Sequence, residues 1–91
     1  MTARFSLGQT VATPGAIDAL AESGQTPTEF LSRHISGDWG EVDSEDRQTN
    51  EDALIHGERL MSVYQTNKGI KIWIITEADR AVSTPLLPEE Y

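Results

Sequence analysis

Apolar residues are not spread evenly along this chain; they gather in four stretches, at positions 5–20, 30–42, 53–64 and 70–87. The first half reads as helical. Thr13-Pro14-Gly15 marks a start, with Thr13 as N-cap and Pro14 at the first helical position, where a missing N–H costs nothing. Ala16, Ile17, Ala19, Leu20 and Ala21 then carry an apolar face to about Glu22, and Gly24 ends it. Thr26-Pro27-Thr28-Glu29 has the form of a capping box, from which Glu29 could reach back to the Thr26 amide. Phe30, Leu31, His34 and Ile35 follow at helical spacing until Gly37, with Phe30, Leu31 and Ile35 expected in the core. Asp43 or Ser44 caps a third helix running to about His56, with Gly57 as its stop. Its apolar content is confined to Ala53, Leu54 and Ile55, so it is expected on the surface, pinned by one end.

The second half changes period. Arg59–Gln65 alternates loosely, Thr66-Asn67-Lys68-Gly69 supplies hairpin-turn residues, and the segment from Ile70 to Glu77 alternates clearly. Ile70, Ile72, Ile74 and Thr76 share one face; Lys71, Trp73, Ile75 and Glu77 share the other. Bulky groups on both faces predict a central strand. Residues 81–86 form the last strand, and Pro85, which cannot donate to a ladder, predicts an edge. Residues 4–12 add a short first strand weakened by Gly8. The tail from Leu87 to Tyr91 either packs down through those two residues or frays. The order β-α-α-α-β-β-β predicts a single two-layer α+β domain over residues 1–91, with three N-terminal helices packed on an antiparallel sheet of three to four strands.

Composition narrows the function classes. Fifteen acidic residues against seven basic ones leave a formal charge of −8. That argues against direct binding to nucleic-acid phosphates, which needs a basic face, and favours solubility, a basic protein partner, or competition with nucleic acid for a basic groove. The absence of cysteine removes disulfides, thiolate metal sites and cysteine nucleophiles. No stretch has the roughly 18–20 apolar residues of a membrane span, and the N-terminal stretch lacks a signal-peptide apolar core. The expectation is a cytoplasmic protein that does not engage membranes.

Candidate chemistry is sparse. Seven acids (Asp38, Glu41, Asp43, Glu45, Asp46, Glu51, Asp52) crowd 38–52 beside one Arg47. A calcium loop starting at Asp38 fails, because its sixth position is Asp43 rather than glycine and its twelfth is Thr49 rather than glutamate. The cluster reads instead as a solvated helix face with a favourable dipole, or as an acidic docking surface carried by Asp43, Glu45, Asp46, Glu51 and Asp52. His34 and His56 sit on different helices outside any metal motif, and are explained as helix-terminal histidines facing backbone carbonyls. Serine-nucleophile elbows, phosphate loops and dinucleotide fingerprints are missing, so no catalytic residue, cofactor or metal is expected. Trp39, between glycines in an acidic turn, is either an exposed anchor or the plug of the helical layer, the plug being favoured. Trp73 is expected on the sheet side away from the helices, where Tyr64 or Met61 could extend an apolar patch suited to a homodimer or another partner.

Several stretches taken together carry a resemblance: residues 8–16 (Gly-Gln-Thr-Val-Ala-Thr-Pro-Gly-Ala), 30–40 (Phe-Leu-Ser-Arg-His-Ile-Ser-Gly-Asp-Trp-Gly), 72–80 (Ile-Trp-Ile-Ile-Thr-Glu-Ala-Asp-Arg) and the closing Leu-Leu-Pro-Glu-Glu-Tyr. Over nearly its whole length the chain resembles a family of small bacterial proteins carried on plasmids and integrative elements, some labelled plasmid-related protein or restriction-system subunit. The chain is too short for a methyltransferase and has no cofactor motif for one. The resemblance implies an accessory role on mobile DNA in a bacterial cytoplasm and transfers no functional residue. The function expected is therefore non-enzymatic protein interaction. The alternatives are a nucleic-acid mimic that inhibits a host defence nuclease, and a small metal-dependent hydrolase using His34 or His56 with nearby carboxylates.

Overall fold

A computed structural model describes residues 3–91; Met1 and Thr2, part of the expected domain span, lie outside the described residues. The elements are β1 (Gln9–Thr10), α1 (Pro14–Glu22), α2 (Pro27–Ile35), α3 (Ser44–His56), β2 (Leu60–Gln65), β3 (Lys71–Thr76), β4 (Val82–Leu86) and a closing 3-10 turn (Pro88–Glu90). The protein is an α+β domain with the expected element order. Local chemistry sets the helix limits. Thr13 caps α1 by accepting from the Ala16 amide, Asp43 caps α3 by accepting from the Asp46 amide, and Gly57 ends α3 in the left-handed conformation at φ 71°. The expected capping box on α2 does not form. Thr26 makes no side-chain cap, and Glu29 instead accepts from the Gln25 side-chain amide at 2.7 Å.

The four strands lie in the order β1-β4-β3-β2. β2, β3 and β4 form an antiparallel meander, but β1 runs parallel to β4, so the sheet is mixed and not antiparallel throughout. The first strand is also far shorter than residues 4–12. Three further backbone bonds, from Gln9, Val11 and Thr13 to the carbonyls of Ala81, Ser83 and Pro85, lay this extended segment along β4. β4 is thus an inner strand, not the edge that Pro85 predicted. The Pro85 carbonyl faces the β1 side, so its missing N–H faces that side too and the β3–β4 ladder does not call on it.

The opposite edge, along β2, is closed by other means. Met61 donates to Asn50 Oδ1 at 3.1 Å and its carbonyl accepts from Asn50 Nδ2 at 2.8 Å. Val63 donates to the Trp39 carbonyl and accepts from the Glu41 amide. The side-chain amide of Asn50 and the turn at 39–41 therefore complete the ladder that a bare edge would leave open. Gly40 makes this approach possible: its φ is 76°, and a Cβ there would collide with the Val63 carbonyl oxygen and the Tyr64 ring.

Register assigns the faces. Leu60, Ser62 and Tyr64 pair with Thr76, Ile74 and Ile72, and all six are buried beneath the helices. One core cluster joins Ala16, Leu20, Phe30, Leu31, Tyr64, Ile72 and Ile74. A second joins Trp39, Val42, Ala53 and Leu60. Trp73 lies on the other face, opposite Val63 and Leu86. Met61 accompanies it there but Tyr64 does not, because strand alternation sends Tyr64 inward against Phe30.

Candidate functional site

The acidic set on α3 divides once its geometry is known. Glu51 is not a free surface carboxylate. It receives a two-pronged salt bridge from Arg4, at 2.8 and 3.0 Å, and the indole N–H of Trp39 at 2.9 Å. These donors, Arg4 foremost, hold its carboxyl below the ordinary range. Asp43 is occupied as the α3 cap. Glu45, Asp46 and Asp52 remain exposed, and Asp52 accepts from Gln48 one turn earlier. Helical spacing places Glu45, Gln48, Asp52 and Ile55 along one stripe. Ile55 at the end of that stripe is 76% exposed, the most exposed of the large apolar side chains described.

Trp39 is the plug and not an exposed anchor. It retains 3% exposure, stacks on Phe5 at 6.2 Å and meets His34 edge-on at 5.7 Å. With its N–H spent on Glu51, it joins the N-terminal segment to α3.

His34 does not face backbone carbonyls at a helix end. It is fully buried, and its two ring nitrogens lie 2.6 Å from Ser62 Oγ and 2.9 Å from Thr76 Oγ1. Thr76 Oγ1 is 2.7 Å from Ser83 Oγ, which donates to the Leu7 carbonyl at 2.7 Å. The proton positions follow. A carbonyl only accepts, so the Ser83 proton goes to Leu7; Thr76 must then donate to Ser83 and accept from His34 Nε2–H. Nδ1 is left as acceptor for the Ser62 hydroxyl, and the ring is neutral. Burial, reinforced by the nearby Arg80 guanidinium, lowers its pKa to about 4. Among the described residues, no buried side-chain polar atom lacks a partner. Sequence reading missed this network. Its only trace was the row of hydroxyl residues Ser62, Thr76 and Ser83 at inward strand positions.

Arg80 stands among the described residues as the one non-glycine at positive φ, 61°. Its guanidinium donates to the carbonyls of Ala53, Glu58, Glu77 and Ala78 and lies over the Phe5 ring. It thereby ties the end of α3 to the β3–β4 turn.

An open cleft of about 120 Å³ lies between α3 and β2, lined by Asp46, Thr49, Asn50, Arg59 and Met61. His34 and His56 are remote from it in function: one is sealed in the core, the other exposed at the end of α3. Among the described residues, no three histidine, aspartate or glutamate side chains gather in a metal-ligating group. On the outer sheet face, Tyr91 packs edge-on against Trp73 at 5.6 Å and its hydroxyl accepts from Arg59. No helix among the described residues is long and apolar enough to cross a membrane.

Compared with family models, curated proteins and solved structures, the chain matches none of them.

Proposed function

We propose that this is a non-enzymatic interaction protein, acting in a bacterial cytoplasm as an accessory of mobile DNA, whose α3 stripe of Glu45, Gln48, Asp52 and Ile55 docks on a basic partner protein. The observation that carries this reading is Ile55, left 76% exposed one turn beyond Asp52 on the stripe that Glu45 begins, while Arg4 and Trp39 engage Glu51 and Asp43 caps the helix. An exposed apolar side chain at the end of an acidic stripe suits a partner pocket with a basic rim: the pocket supplies affinity, the rim register and on-rate. His34, Asp43 and Glu51 support the non-enzymatic reading by where they are spent: a hydroxyl network, a helix cap and a tryptophan clamp.

The test compares capture by the wild-type chain and by a Glu45→Lys, Asp52→Lys, Ile55→Asp triple variant from bacterial lysate. All three positions are exposed, so circular dichroism should report an unchanged fold. A protein retained by the wild type, released by salt and lost from the variant supports the proposal. Equal capture by both, or no enriched protein, overturns it.

A further inference from the structure

The helices cover only one face of the sheet. On the other, Ile75 and Leu86 are already buried within the chain and Val63 packs against the Trp39 cluster, while Met61, Trp73 and Thr84 stay half-buried with the exposed Tyr91 ring laid on Trp73. Charges mark the two ends of this apolar field. Along β3 the outward row reads Lys71, Trp73, Ile75 and then Glu77, whose amide continues the ladder by donating to the Val82 carbonyl. Lys71 and Glu77 are both exposed and stand about 20 Å apart at strand rise.

We propose that this face pairs with the same face of a second copy, about a two-fold axis that sets β3 antiparallel to its counterpart. Charge complementarity selects both the occupant and the orientation. Antiparallel stacking places Lys71 over the partner's Glu77 and, by symmetry, Glu77 over the partner's Lys71. It also sets Arg59, at the Glu77 end of β2, over the partner's neutral Gln65. Parallel stacking would instead oppose lysine to lysine and glutamate to glutamate, which costs free energy. The face also carries Arg59 and Lys71, two of the seven basic residues of a chain with net charge −8, so two copies approach here with the least repulsion.

Area sets the strength. The three long strands at about 4.8 Å spacing and five residues at about 3.3 Å rise give roughly 240 Å² per copy. Doubled, this falls below the roughly 1,200 Å² of a stable interface, so the dimer is weak and populates at high concentration. The contact does not involve α3 and stands apart from the partner-binding reading above.

Sedimentation equilibrium of the full chain, from about 10 µM to about 1 mM, should show a monomer–dimer equilibrium. Lys71→Glu or Glu77→Lys alone should weaken it roughly tenfold, since each converts two attractive pairs into repulsive ones. The double variant Lys71→Glu, Glu77→Lys should recover association to within about threefold of the wild type. A chain that stays monomeric at the highest concentration overturns the proposal. So does a dimer indifferent to the single swaps, or one the double swap fails to restore.

Discussion

The neutral, sealed histidine makes an acid-lability prediction that can be worked from the structure. His34 has a native pKa of about 4 against 6.5 for the free side chain, because burial penalises the cation and Arg80 repels it. A depressed histidine pKa means the unfolded chain binds the extra proton first. Stability is thus complete above the unfolded value and falls as pH drops through the window from about 6.5 to about 4. Linkage over that 2.5-unit gap amounts to about 3 kcal/mol in all, of which about 2 kcal/mol is lost between pH 7 and pH 5. For a domain whose total stability is about 5–14 kcal/mol, this is a large share. Glu51 and Asp38 also have lowered pKa values, through Arg4 and Arg33 respectively, but their contribution is retained above the unfolded carboxylate values and is lost only in stronger acid.

The assay is urea unfolding at pH 7 and pH 5 for the wild type and for His34→Gln. Glutamine keeps one N–H donor and one oxygen acceptor for Thr76 and Ser62 but cannot take a proton in this range. The wild-type midpoint should drop by about 1–2 M urea between the two pH values. The variant, less stable at pH 7 by about 1–2 kcal/mol from imperfect geometry, should change far less. Relief of the −8 net charge on acidification acts on both chains and cancels in the comparison. Parallel losses in the two proteins, or a native His34 that titrates near 6.5 by NMR, would refute the reasoning.

Two further substitutions probe the closed edge of the sheet. Gly40→Ala combines a φ of 76° with collisions at the Val63 carbonyl and the Tyr64 ring, and should destabilise by about 2–4 kcal/mol in chemical unfolding; a loss below about 0.5 kcal/mol would mean the turn shifts freely. Asn50→Ala removes both partners of the Met61 backbone and should cost about 2 kcal/mol, with native-state hydrogen exchange accelerating first at the Met61 amide. Unchanged protection at that amide would show that Asn50 does not close the ladder.

The elements that could be read from the sequence are those whose signals are local. Thr13-Pro14, Asp43 and Gly57 bound helices by bonds within one turn, and Thr66–Gly69 closes its hairpin through backbone bonds between Thr66, Gly69 and Ile70. What escaped reading depends on partners far apart in the chain. His34 meets hydroxyls 28 and 42 residues away. Glu51 meets Arg4 across 47 residues, and β4 takes β1 as a parallel neighbour after three intervening helices. Period-2 alternation grouped Thr76 with Ile72 and Ile74 but assigned Ser62 to neither face, and nothing local says which helix supplies the group between them. The same distinction bears on function. Each polar residue that the long-range contacts claim, Glu51 and His34 above all, is withdrawn from the surface available to a partner. Sequence counting treats these residues as equals of Glu45 and Asp52, whereas the fold leaves only the latter free. The proposed interaction surface is therefore smaller than composition suggests, and one of its residues, Ile55, is apolar. A charge-only account of docking predicts that Ile55→Ala is silent, whereas a pocket with a basic rim predicts roughly tenfold weaker binding, the equivalent of about 1.4 kcal/mol.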